Sequence, residues 1–205
     1  MKAIEARGLS CARGDVRLFR DVSFAAAAGE WVALRGPNGS GKTTLLRCLS
    51  GLTRAEEGEV IWDGTPAGSP ESRFREEALY AGHASALKDD LTAAENLRDA
   101  LALRGVACGG NAMDEALGQV GLAARRRLPA RRLSAGQRRR IGLARLWLDP
   151  APLWLLDEPL TALDSGGEAL FASMLERHLA RGGLAVIATH HPLAPAAARE
   201  VRLGP

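Results

Sequence analysis

Residues 36–44 read Gly-Pro-Asn-Gly-Ser-Gly-Lys-Thr-Thr. The apolar run Trp31-Val32-Ala33-Leu34 precedes them and Leu45-Leu46-Arg47-Cys48-Leu49 follows, so the local order is strand, loop, helix. In that setting the pattern GxxxxGK[ST] acts as a phosphate cradle, the P-loop. Gly36, Gly39 and Gly41 permit backbone angles that side chains resist. The loop's N–H groups can then face inward as an anion nest, backed by the positive end of the helix. Lys42 is expected to reach the β- and γ-phosphates of a nucleotide, and the Thr43 hydroxyl to join a Mg²⁺ shell. Pro37, Asn38, Ser40 and Thr44 complete the nucleotide-binding set. The bland alternative is a glycine-rich turn that binds nothing, and the flanking strand and helix argue against it. A nucleoside triphosphate is the expected ligand.

Working outward, 205 residues suit one domain. At 46% hydrophobic residues the chain can bury a sizeable core. It carries 27 basic and 24 acidic residues, a formal charge of +3, with a pI near 9.0. That balance is too mild to indicate a nucleic-acid surface by itself. Cys11, Cys48 and Cys108 are odd in number and widely spaced, which fits neither a disulfide framework nor a metal site and favours a reducing compartment. No stretch reaches the 18 or so apolar residues of a membrane span, and the N-terminus has no signal-peptide pattern. The expectation is a chain soluble by itself, whose link to a membrane comes through a partner.

Residues 2–9 and 16–24 alternate around a turn at Arg13-Gly14-Asp15 and predict antiparallel strands leading to the P-loop strand at 31–35. The P-loop helix should stop at Gly51. A strand over Gly58–Trp62 comes next, then a loop from Asp63 to Ser72 and a short strand at 78–81. Thr92-Ala93-Ala94-Glu95 is a capping box that opens a helix to about Leu103. Further helices are predicted over 112–121 and 136–148. The fold class is therefore α/β, a mixed P-loop sheet core with an antiparallel β part and an inserted helical subdomain.

Leu153-Trp154-Leu155-Leu156-Asp157-Glu158-Pro159 reads as a buried parallel strand that delivers two carboxylates at its C-terminal edge, where open α/β sheets bind ligands. Asp157 is expected to hold Mg²⁺ through water, and Glu158 to polarise the attacking water as general base. An acidic strand end facing solvent is the mundane alternative. Leu133-Ser134-Ala135-Gly136-Gln137 opens the helix at 136–148. Ser134 and Gln137 form an S-x-x-Q capping box, which explains a plain helix start, yet a capped helix tip beside a glycine is also a phosphate-binding surface.

This last stretch resembles the LSGGQ signature of ATP-binding-cassette (ABC) ATPases, and it lies between the P-loop and the acidic strand with that family's spacing. The resemblance covers essentially the whole chain. It implies a single ABC ATPase domain over 1–205, with a RecA-like core at about 1–81 and 150–205 and a helical subdomain at about 82–149. It further implies that ATP and Mg²⁺ are the cofactors and that two copies pack head to tail in the presence of ATP. Ser134, Gly136 and Gln137 would then meet the γ-phosphate held by the other copy's P-loop. Thr161-Ala162-Leu163-Asp164 resembles the D-loop that crosses such an interface, with Ser165 and Glu168 read as cap and N3 partner of the next helix. His190, after the strand Leu184–Ala188, matches the histidine that contacts the γ-phosphate, although His191 beside it shares the residue type.

Two positions depart from the family pattern. The glutamine that usually follows the strand at 78–81, touching Mg²⁺ and water and sensing the membrane partner, is replaced by Gly82-His83. His83 can accept or donate a hydrogen bond, with a charge that varies near neutral pH. Arg13 stands where an aromatic residue usually stacks on adenine, and a guanidinium can stack flat on a base. No guanine-selecting N/T-K-x-D sequence occurs, which favours ATP.

With Tyr80-Ala81-Gly82-His83, the segment Leu87–Leu97, the Arg13-Gly14-Asp15 turn and Leu18-Phe19, the chain is most similar to the ATP-binding subunits of cytochrome c maturation haem exporters. That resemblance implies pairing with a second copy and docking on integral-membrane subunits. The place implied is the cytoplasmic face of the cell inner membrane, peripherally bound. The region from His83 to Leu97 would meet the membrane partner. His83, His178, His190 and His191 are scattered, so no haem or metal site is expected from them. Export of lipid, lipoprotein or a small solute stays open, as does a non-hydrolysing ATP-gated module, against which Glu158 argues. A nucleic-acid-linked cassette is suggested by Arg125-Arg126-Arg127, Arg131-Arg132 and Arg138-Arg139-Arg140, but aromatic residues for base stacking are only 4%. Those arginines read better as solvated faces or contacts to acidic partner loops, and no direct nucleic-acid binding is expected.

Overall fold

The computed structural model describes residues 2–14, 16–83, 86–193 and 195–204. Asp15 of the predicted Arg13-Gly14-Asp15 turn lies outside the described residues, as do Ala84 and Ser85 of the segment His83 to Leu97. The strands are β1 (Ala3–Arg13), β2 (Val16–Ala27), β3 (Trp31–Arg35), β4 (Glu57–Trp62), β5 (Thr65–Pro66), β6 (Ala78–Ala81), β7 (Leu153–Asp157), β8 (Leu184–Ala188) and β9 (Arg199–Arg202). The helices are α1 (Lys42–Leu49), α2 (Phe74–Glu77), α3 (Ala93–Ala102), α4 (Gly110–Gln119), α5 (Ala135–Leu148) and α6 (Ser165–Ala180). Two compact units result. The first comprises Met1–His83, Ala151–Pro159 and Leu175–Pro205, the second Ala84–Pro150 and Leu160–Met174.

Two sheets build the first unit. One is antiparallel, in the order β2-β1-β4-β5, and the other is parallel, in the order β6-β7-β8-β3-β9. Every residue of β7 and β8 is buried, as expected of strands in the middle of a parallel sheet, where both faces are covered and no alternation of polar residues survives. Ile4, Leu9 and Phe24 of the antiparallel sheet join Leu34, Leu155 and Val186 of the parallel one in a single cluster with Leu45, Leu46 and Leu49 of α1. Burial of each such side chain contributes roughly 1.5–3 kcal/mol. The P-loop helix is thus gripped along its apolar face, and its N-terminus is fixed at the C-terminal edge of β3.

The second unit is helical. Thr92 and Glu95 form the predicted reciprocal cap of α3, with Glu95 N–H donating to Thr92 Oγ1 at 3.2 Å and Thr92 N–H to Glu95 Oε2 at 2.8 Å. Buried Asn96 donates to the carbonyls of Lys88, Leu91 and Thr92, which fixes the loop before α3.

Four local readings change. The helix predicted over 112–121 runs from Gly110 to Gln119, because Gly121 takes φ +74° and closes the C-terminus with Leu122 N–H donating to Leu117 O at 2.7 Å. The cap of α6 is Asp164 rather than Ser165, since its carboxylate accepts the Gly167 N–H at 2.9 Å. The loop from Asp63 to Ser72 contains β5, which pairs with β4. Finally, β9 is an edge strand beside β3 that the charged run Arg199-Glu200-Val201-Arg202 does not advertise.

Candidate functional site

The loop between β3 and α1 has the backbone that its glycines imply. Gly36, Gly39 and Gly41 take φ of +145°, +82° and +95°. At Gly36 a Cβ would come within 2.2 Å of the Leu203 carbonyl and 2.6 Å of Ser40 Oγ, so no larger residue fits. Lys42 is buried, and its Nζ donates to the carbonyls of Gly36 at 2.7 Å and Pro37 at 3.1 Å. Gly41 packs tightly as well, its Cβ position lying 3.1 Å from both Leu18 Cβ and Phe19 Cδ1.

The end of β7 brings the acids to this loop. Thr43 Oγ1 donates to Asp157 Oδ2 at 2.8 Å, and Asp157 is buried. Burial, and then the Asp157 charge, push the Tyr80 hydroxyl above the usual phenol range. Glu158 follows the strand in the left-handed region at φ +48°, a conformation that costs a non-glycine residue energy and that clusters at functional sites. Its N–H donates to Ala188 O at 2.9 Å, which ties it to the end of β8. His190 Nε2 lies 3.1 Å from Lys42 Nζ, 3.2 Å from Asn38 Oδ1 and 3.3 Å from Glu158 Oε1. With a proton on Nε2 the ring donates to Glu158 or Asn38; without it, the lone pair accepts from Lys42.

A cleft of about 370 Å³ gathers these groups: Asn38, Lys42, Thr43, Asp157 and Glu158 line it with Leu18, and Arg13 and His83 stand at its exposed margin. Cys48 of α1 is no nucleophile for the cleft, because burial and then neighbouring Cys11 push its thiol up to about 12.

Asp157 and Thr43 offer a carboxylate and a hydroxyl, the oxygen donors that suit Mg²⁺. Among the described residues no group of three or more His, Cys, Asp and Glu could hold a metal alone. The Thr43–Asp157 pair fits an ion that completes its shell with phosphate oxygens and water.

Ser134, Gly136 and Gln137 line a cleft of their own in the second unit, about 410 Å³, with Arg125, Arg140 and Asp164 among the other walls. Ser134 and Gln137 make the expected capping box at 3.2 and 3.0 Å. Gly136 must be glycine for a reason of packing: a Cβ would sit 2.7 Å from the Ala162 carbonyl, and Ala162 itself takes φ +66°. Arg140 Nη2 donates to Asp164 Oδ1 at 2.6 Å and Nη1 to Val120 O at 2.9 Å. The Gly167 N–H, and then Arg140, hold the Asp164 carboxyl below the usual carboxylate range.

In the sequence Arg140 is marked only as part of a basic run, and Arg35 carries no motif. Arg35 is the one charged residue of β3, and it donates to the carbonyls on either side of His190. A charge ending an apolar strand immediately before the P-loop was the available signal.

The ABC transporter family model matches residues 19–161. The chain is 48% identical over 193 residues to the cytochrome c biogenesis ATP-binding export protein CcmA of Nitrosomonas europaea, covering 94% of this chain and 91% of that one. An ABC transporter ATP-binding protein of Pyrococcus furiosus superposes with a TM-score of 0.85 at 25% identity, over 98% of this chain and 97% of its own. A dimeric, post-hydrolysis ATP-binding cassette bound to ADP and Pi superposes with a TM-score of 0.83 at 25% identity, covering 98% and 94%.

Proposed function

This chain belongs to the ABC transporter family, and from that premise we propose that it is the ATP-hydrolysing subunit of a membrane export complex for cytochrome c biogenesis. The work it powers is haem export, or release of a haem-loaded chaperone. The observation that carries the catalytic part is the convergence of Lys42, Asn38 and Glu158 within 3.3 Å of His190 Nε2, beside the Thr43–Asp157 pair.

Each residue then has a task. The loop Gly36–Thr44 binds the triphosphate through its N–H groups, and Lys42 exchanges its loop carbonyls for phosphate oxygens. Asp157 and Thr43 hold Mg²⁺, which when bound neutralises charge on the phosphates. Glu158 orients water and takes its proton, while His190 beside it steadies the γ-phosphate. Arg13 stacks on the base, and His83 reports partner docking to the cleft.

The helix tip at Ser134 and Gly136 is the second half of the site. Two copies pack head to tail when ATP is bound, so that each copy's Ser134, Gly136 and Gln137 close over the other's triphosphate. The complex sits on the cytoplasmic face of the inner membrane, held by integral subunits that dock near His83 to Leu97. Among the described residues no helix is long and apolar enough to cross a membrane, which agrees with a peripheral place.

The test is cellular. A strain lacking this chain is expected to lose haem-stained c-type cytochromes, to regain them with the wild-type chain, and not to regain them with Glu158→Gln. Normal c-type cytochromes in the deletion strain would contradict the export role, and restoration by Glu158→Gln would contradict a need for hydrolysis.

A further inference from the structure

After β8 the chain leaves the sheet before His190. Three contacts help to hold the peptide that bears it. Thr189, fully buried, donates its N–H to Leu34 O at 3.3 Å, and its hydroxyl accepts the His191 N–H at 3.0 Å. The third is Arg35, whose Nη1 donates to Thr189 O at 2.6 Å and to His191 O at 2.8 Å. A single guanidinium nitrogen thus pins the carbonyls before and after His190, leaving its side chain to project toward Lys42, Asn38 and Glu158. The Arg35 side chain is only 21% exposed, and its Nε lies 3.5 Å from Glu200 Oε1 on β9. Charge-assisted hydrogen bonds of this kind are stronger than neutral ones, and the planar fork loses little entropy in making them.

We propose that Arg35 is a positioning residue for ATP hydrolysis: it fixes the peptide that aims His190, and Glu200 of β9 orients it in turn. Arg35 is not among the residues that line the cleft, and its hydrogen bonds go to the carbonyls flanking His190, so the proposed role runs through His190. The inference rests on the γ-phosphate role given to His190 above. Lysine is a poor replacement, because it lacks the second donor, Nε, that faces Glu200 while Nη1 spans the two carbonyls.

Hydrolysis rate and equilibrium binding of a fluorescent ATP analogue should be measured on the full chain for Arg35→Met, His190→Ala and the double variant. Arg35→Met is expected to lower kcat on the order of tenfold or more, since small misplacements of catalytic groups cost that much, with analogue binding nearly unchanged. The double variant should be no slower than His190→Ala, because the two residues form one unit. Should Arg35→Met fail to fold, Arg35→Lys is read in the same way. Wild-type kcat in the Arg35 variant alongside a slow His190→Ala, or losses that multiply in the double variant, would overturn the positioning role while leaving the proposed function intact. A wild-type rate in His190→Ala would bring down the histidine's role, and the positioning role with it.

Discussion

Glu158 is held in a left-handed backbone conformation, and its N–H is anchored to the end of β8. Strain of this kind persists only where the surroundings impose it. Replacing it by glutamine keeps the shape and removes the base. Glu158→Gln should therefore lower the rate of ATP hydrolysis by about 10²–10⁴-fold while ATP stays bound, as read by single-turnover hydrolysis and by nucleotide retained through gel filtration. Unchanged turnover would assign the proton elsewhere. The residues at this scale whose placement was legible in the sequence are those proposed from spacing along one segment: Gly36, Lys42, Thr43, Asp157 and Glu158. Arg35 and the Arg140–Asp164 pair were not, because each acts on a partner brought near only by folding. His190 was separable from His191 by its place after the strand, and its ring nitrogen does lie against Lys42.

At the scale of elements, most strands and helices announced themselves through apolar runs and capping boxes. Exceptions have physical causes. The C-terminal end of α4 is set by glycine geometry rather than by periodicity, and β9 pairs through its backbone while its charged side chains are exposed. The C-terminal part of α6 shows a further constraint invisible in sequence. His178 stacks on Trp154 of β7, with ring centroids 3.8 Å apart and planes 11° from parallel. Its Nε2 lies 3.2 Å from the Leu184 carbonyl, and a Cβ at Gly183 would collide with the ring at 2.4 Å. Burial lowers the His178 pKa to about 4 despite the carbonyls that favour its charged form. The unfolded chain binds that proton near pH 6.5, so stability should be unaffected above this pH and fall between about 6.5 and 4. The loss amounts to roughly 3 kcal/mol at most. Urea unfolding over this range should show a shallower slope with pH for His178→Gln than for the wild type. Parallel slopes would mean that the ring is accessible to protons in the folded state.

At the scale of the molecule, the chain carries two clefts with complementary chemistry, each within its own unit. One gathers a buried lysine and two carboxylates at the edge of the parallel sheet, with His190 against the lysine. The other is a helix tip where Ser134, Gln137 and a glycine without room for a Cβ stand beside the Arg140–Asp164 pair. In the proposed function the first binds and attacks a triphosphate, and the second covers one. Neither suffices for hydrolysis under the proposed head-to-tail arrangement, so the working site needs two copies. Two variants test this directly: Lys42→Ala, which spoils the cradle, and Ser134→Arg, which blocks the tip. Each alone should be inactive. Mixed in equal amounts with ATP, half of the dimers pair unlike chains, and each of those keeps one cradle facing one good tip, so the hydrolysis rate should recover to roughly a quarter of the wild-type value. A mixture no more active than the two variants measured separately, under conditions where the wild type turns over, would contradict a site shared between copies.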